Sequence, residues 1–171
     1  MTLRIVLAGP ESTGKSSLTV HLAQRFRVPW AMEYARLYLE KNGPDYDYDL
    51  LLHLSRGHLA YQRERVPDTV PVGLFDTDLL NYKIWCEVVY GRCHAEILAA
   101  LEQETDHAYL LCAPDLPWTP DPLRENPDDR EKLFDLHVCE IERLNRPYCV
   151  IEGLGDDRLR AAEAAYAAIQ K

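Results

Sequence analysis

Residues 9–16 read Gly-Pro-Glu-Ser-Thr-Gly-Lys-Ser, between an apolar run, Leu3 to Ala8, and a segment from Ser16 to Phe26 whose Leu18, Leu22 and Phe26 recur at helical spacing. The pattern Gly-x4-Gly-Lys-Ser is therefore predicted to sit between a buried strand and the start of a helix, where a polyphosphate cradle has to be. Glycine lets the backbone curl with its N–H groups inward, and the helix N-terminus adds a positive end of the peptide dipole. Lys15 is expected to reach the β and γ phosphates and the Ser16 hydroxyl to ligate Mg2+, with Thr13 and Ser17 bonding phosphate oxygens. The candidate ATP contacts in the loop are Gly9, Glu11, Ser12, Thr13, Gly14, Lys15, Ser16 and Ser17.

Outward from this loop, Val28–Met32 reads as a second strand, Glu33 opens a helical pattern through Leu39, and Leu50–Arg65 reads as a helix after the loop Asn42–Tyr48. Val70–Asp76 is predicted to be a strand, Leu79–Glu104 helical with a break near Tyr90-Gly91, and Ala108–Cys112 a strand. Five prolines between Pro114 and Pro127 exclude a regular element there and suggest a mobile lid of about 114–130. Arg130–Leu144 follows as a helix, Tyr148–Glu152 as a strand and Arg158–Gln170 as the closing helix. Five strands alternating with helices predict a three-layer α/β/α P-loop NTPase, nucleoside- or nucleotide-kinase-like, with a central, mainly parallel five-stranded sheet. One domain, 1–171, is expected, since single cores run to roughly 100–200 residues.

With 19 Lys and Arg against 28 Asp and Glu the net charge is −9, which disfavours nucleic acid and anionic membrane as partners. No apolar run approaches the roughly 20 residues of a membrane span, and the N-terminus carries no cleavable signal pattern, so a cytoplasmic protein with a small-molecule substrate is expected. A homo-oligomer is left open. Five cysteines, with no CxxC pair and mostly in apolar segments, read as reduced core residues, and the His spacing offers no zinc motif.

What the γ-phosphate is used for depends on the remaining motifs. No Asn-Lys-x-Asp guanine reader occurs, and no glycine stands three residues after Asp76, so a GTPase switch is excluded. Asp76, ending an apolar strand, is the candidate carboxylate for Mg2+ beside Ser16, or else a helix cap. Asp78 either caps the next helix, binds metal or holds a substrate hydroxyl. Glu33 lies at the carboxyl edge of the sheet, placed as a general base or as a first-turn Glu favoured by the helix dipole. Arg124 and Arg130 either fold over the phosphates or remain solvated beside Asp128, Asp129 and Glu131. Met32, alternating with Trp30 on the second strand, and Trp118 in the lid are candidates to flank a flat ring, Trp30 being the more core-like.

Gly9–Ser16, Glu33-Tyr34-Ala35-Arg36, Phe75-Asp76-Thr77-Asp78, Tyr90-Gly91 and Trp118-x2-Asp121-x-Leu123-Arg124 together resemble the kinase domain of NadR-type nicotinamide riboside kinases, nearly end to end. The resemblance implies phosphorylation of the 5'-hydroxyl of nicotinamide riboside by ATP and Mg2+, giving nicotinamide mononucleotide for NAD salvage. It implies Lys15 and Ser16 for ATP and Mg2+, and Asp76 as the magnesium or catalytic carboxylate. Glu33, Tyr34, Arg36 and Asp78 would then line the riboside pocket, with Arg124 in the lid and Trp118 and Asp121 counted with the acceptor side. The family pattern has an aromatic residue just before Glu-Tyr, stacked on the nicotinamide; Met32 stands there, so its polarizable sulfur, Trp118 or Tyr34 takes that part. No His-x-Gly-His adenylyltransferase motif occurs, so NAD synthesis itself is not expected. A kinase for another nucleoside or small alcohol, and a nucleotide-dependent regulatory module, are the competing readings.

Overall fold

A computed structural model describes residues 2–170. Among these, five strands form one parallel sheet: β1 (Leu3–Ala8), β2 (Trp30–Ala31), β3 (Val72–Asp76), β4 (His107–Cys112) and β5 (Tyr148–Ile151), in the order β2-β3-β1-β4-β5. Seven helices complete the described chain: α1 (Lys15–Phe26), α2 (Tyr34–Asn42), α3 (Tyr48–Arg65), α4 (Leu79–Tyr90), α5 (Ala95–Gln103), α6 (Arg130–Arg143) and α7 (Gly155–Ile169). The expected α/β class and parallel five-stranded sheet are present.

The three layers follow from the two-residue period of a strand. In β1, Ile5 and Leu7 point to one face, where Leu18 and Leu22 of α1 and Ala162 and Tyr166 of α7 cover them. Val6 and Ala8 point to the other, against Leu51 and Leu54 of α3, Leu80 and Ile84 of α4, Ile97 of α5 and Ile141 of α6. Both faces are covered, which is why the strands read as continuous apolar runs.

Some boundaries differ from the sequence reading. The second strand pairs over two residues only, because Pro29 has no N–H for a ladder and Glu33 already caps α2. Met32 lies beyond it, so the expected alternation of Trp30 and Met32 on a strand face does not form. This strand pairs with β3, not with β1. The long helical stretch divides at the expected break, where Gly91, at φ 68°, closes α4 in the left-handed conformation. Cys139 is exposed on α6, unlike the buried Cys86 and Cys112, and all five cysteines are free thiols.

The closing helix begins at Gly155, three residues earlier than expected, and this places Arg158 inside its first turn. Arg158 is 4% exposed. Its guanidinium donates to the carbonyls of Thr13 at 2.9 Å and Ala113 at 3.1 Å, and to the Asp115 carboxylate at 2.7 Å. One buried cation thus ties the residue 9–16 loop, the end of β4 and α7 together. Arg158→Met is expected to lower stability by about 2–4 kcal/mol, because those acceptors lose their donor in a dry site. A lower urea midpoint at unchanged slope is the measurement that checks it.

Candidate active site

In a parallel sheet every strand ends at the same edge, so the β1, β2, β3 and β4 loops converge there. The loop after β1 is held tightly: Gly9 has φ 125°, and a Cβ on it would stand 2.6 Å from the Cys112 carbonyl oxygen. Gly14, at φ 79°, is the N-cap of α1 and offers no side-chain cap, so the first N–H groups of α1 face the loop without a competing side-chain acceptor. Lys15 Nζ donates to the Pro10 carbonyl at 2.7 Å. Thr13 is buried with its hydroxyl donating to that same carbonyl at 2.8 Å, so it braces the loop itself.

Asp76 is 2% exposed and stands behind Ser16, whose hydroxyl donates to Asp76 Oδ2 at 2.5 Å. Asp76 Oδ1 is buried with no protein partner. A hydroxyl and a carboxylate with a free lone pair form a hard-oxygen donor set that fits Mg2+. Burial raises the Asp76 pKa, while Lys15, the Ser16 bond and Arg36 pull against that rise.

Glu33 is the N-cap of α2, yet its side chain makes no capping bond. The carboxylate instead lines a cavity of about 250 Å³ that also contains Lys15, Ser16 and Arg36. Burial, with the like charge of Asp76 added, raises its pKa to about 7 against the opposing fields of Lys15 and Arg36. Asn81 of α4 approaches Glu33 Oε1 at 3.5 Å.

Asp78, Tyr34 and Met32, predicted on the acceptor side, do not line this cavity. Asp78 is 1% exposed, does not line the cavity, and accepts from the Leu80 N–H at 3.0 Å and the Tyr109 hydroxyl at 2.6 Å. Asp78 is thus the N-cap of α4. The Tyr34 ring lies over Gly57, where a Cβ would meet it at 2.4 Å, and is turned toward α3. Met32 is 36% exposed and outside the cavity.

The lid lies against the loop after β1. Arg124 lines the cavity and donates to the Thr119 carbonyl; Arg130 donates to the carbonyls of Leu116 at 2.8 Å and Ser12 at 3.3 Å. Trp118 is half-buried with the Arg130 guanidinium 5.8 Å from its ring centre, rather than lining the cavity. Asp121 pairs with Arg36 at 2.5 Å and so ties the lid to α2.

The aromatic wall of the cavity is one that the sequence reading missed. Trp85 of α4 and Tyr46 of the α2–α3 loop meet edge to face at 4.8 Å. The signal was available: Asn81, Trp85 and Val88 recur at helical spacing along α4, and all three line the cavity. His137 of α6 lines it too, donating Nδ1–H to the Leu133 carbonyl at 2.7 Å; burial lowers its pKa to about 4, so it is neutral.

A family model described as AAA domain matches residues 4–158. Over 157 residues the chain is 29% identical to the trifunctional NAD biosynthesis/regulator protein NadR of Escherichia coli (strain K12), an alignment covering 86% of this chain and 38% of that protein. The protein of the same description from Salmonella typhimurium (strain LT2) is 31% identical over 150 residues, 82% of this chain and 36% of its own length. The chain therefore spans less than two fifths of the curated relatives it matches. Among solved structures, a NadR protein in complex with NR has a TM-score of 0.79 at 18% identity, over 98% of this chain and 50% of that one. A thymidylate kinase from Ehrlichia chaffeensis has a TM-score of 0.66 at 12% identity, over 99% of both chains. At such identities the structural likeness is one of fold.

Glu33 generates a prediction on stability. Its folded pKa, about 7, lies above its ordinary value of 4.5, so its favourable contribution is complete below pH 4.5 and is lost as pH rises through 7. Glu33→Gln is expected to flatten that dependence and, at pH 8, to stabilise the chain by roughly 1–3 kcal/mol, with no gain at pH 4. Thermal melts across pH 4–9 test this; equal melting differences at both ends would exclude the shifted carboxyl.

Proposed function

Because the chain belongs to the AAA domain family, we propose that it is a P-loop kinase that transfers the γ-phosphoryl group of ATP to the 5'-hydroxyl of nicotinamide riboside. The observation that carries this reading is the composition of one cavity, lined together by the phosphate loop, Glu33 and the Tyr46–Trp85 pair. A cavity of about 250 Å³ suits one small ligand rather than a peptide or polymer. A pyridine ring on a ribose is such a ligand, with a flat face for the aromatic wall and a primary hydroxyl for the phosphate end. Homology to part of NadR proteins supports the same assignment.

The chemistry follows from the residues. Phosphoryl transfer depends chiefly on positioning and on neutralising charge spread over the equatorial oxygens. Lys15 and the N-terminus of α1 supply positive potential at the phosphates, and Arg124 adds a guanidinium from the lid. Ser16 and Asp76 would hold Mg2+, which supplies further charge neutralisation at the phosphate oxygens. Glu33, with a pKa near 7, is matched to a base working at neutral pH. As the acceptor oxygen bonds to the γ-phosphorus and the bond to the bridging oxygen of ADP breaks, the hydroxyl proton passes to the Glu33 carboxylate. Arg36 stays ionised in its pair with Asp121 and keeps Glu33 and Asp76 from repelling a phosphate unopposed.

Incubation with ATP, Mg2+ and nicotinamide riboside is expected to yield ADP and nicotinamide mononucleotide in equal amounts. Turnover of a different nucleoside alone would move the acceptor assignment, and no turnover of any alcohol would end the kinase reading. The rate should rise with pH through about 7, the value of Glu33, and Glu33→Gln should be slow and lack that limb. Trp85→Ala should raise the acceptor KM about tenfold with the ATP KM unchanged, through loss of the ring face.

A further inference from the structure

Glu11 is an acidic side chain inside a loop built to hold phosphates, where acidic oxygens oppose an anionic ligand. Its partners give it a different use. Oε1 accepts the backbone N–H of Asn126 at 2.5 Å, and both oxygens lie within reach of the Glu125 N–H, at 3.0 and 3.2 Å. These two consecutive amides belong to the lid segment, directly after Arg124, the lid arginine that lines the cavity. The side chain of Glu125 has a separate partner, accepting from the Tyr46 hydroxyl of the aromatic wall at 2.7 Å. Asp121, three residues before Arg124, is held by Arg36 at 2.5 Å and accepts the Arg124 N–H on its carbonyl at 3.0 Å.

We propose that Glu11 is a positioning residue that latches the lid to the phosphate loop, so that Arg124 is delivered over the phosphates only while the lid is seated on both the loop and the acceptor wall. Hydrogen bonds to two successive amides fix a segment in both place and orientation, which one bond does not do. The loop's own repulsion of nucleotide is the cost of that registration. Glu125 is the joint, with its backbone held by the nucleotide side and its carboxylate by the acceptor side. The inference rests on the kinase reading for its catalytic part, and on the contacts alone for its structural part.

Two measurements separate those parts. Trypsin cuts after Arg124, and the amide of that bond is the Glu125 N–H that Glu11 holds. Glu11→Ala is expected to be cut there about tenfold faster than wild type, by local opening, with Glu11→Gln close to wild type because its amide oxygen still accepts. Equal rates, or faster cutting along the whole chain, would overturn the latch; this arm needs no acceptor and stands or falls whatever the substrate. In the kinetic arm, Glu11→Ala should lose about tenfold in kcat through a misplaced Arg124. Its ATP KM should stay level or fall, since a repelling charge is gone, and Glu11→Gln should restore kcat. A raised ATP KM with unchanged kcat would mean that Glu11 binds nucleotide and does not position the lid. Should Glu11→Ala not fold, Glu11→Gln still decides, since a tenfold loss of kcat in it would also refute the latch.

Discussion

The Ser16 hydroxyl donating to Asp76 at 2.5 Å is the contact on which the site depends. The two residues are 60 positions apart, and they meet because β1 and β3 are parallel neighbours in register, Leu7 opposite Asp76. The glycine loop leaves β1 at the same height at which β3 ends, so the first residues of α1 arrive beside the strand-end carboxylate. With β1 central in the sheet, its other neighbour, β4, launches the lid from the opposite flank. The phosphate loop is therefore held between a metal-fitting carboxylate and an arginine-bearing lid by strand order alone.

Charge in the cavity is finely opposed. Glu33 and Asp76 are two acids in a partly dry space; Lys15 and Arg36 offset both, and the Ser16 bond adds to this at Asp76. Desolvation wins at both carboxylates, since removing water costs a buried anion more than a nearby cation returns at protein dielectric. The outcome differs in use. Asp76 is deep and bonded to Ser16, which suits it to the cation proposed above, whereas Glu33 is half-buried with a mid-range pKa, which suits it to the proposed proton exchange.

Asp78 illustrates how sequence proximity leaves a role open. It lies two residues after Asp76, but Thr77 between them takes φ 66°, a left-handed turn that sends the next side chain inward. There it joins Tyr109, whose hydroxyl also receives Arg146 at 2.6 Å. Tyr109 on β4, itself bonded by Arg146 after α6, thus engages a carboxylate for which the linear motif left cap, metal and substrate roles open. The reverse happened with Trp85 and Tyr46, which lie in segments without any named motif and become cavity wall because α4 and the α2–α3 loop face one another.

By itself the sequence determined the fold class, the phosphate loop and the order and type of the elements, because these rest on local rules: period two or 3.6 in apolar residues, glycine where φ is positive, proline where no ladder forms. It also placed Lys15, Ser16, Asp76 and Glu33 at the right edge of the sheet, since in a parallel sheet strand ends and ligand edge coincide. Only the tertiary structure decided strand order, the inward turn of Asp78, the Arg158 tie, the Glu11 contact with the lid and the aromatic wall. Each of these joins residues far apart in the chain, and which distant groups meet is set by how whole layers pack.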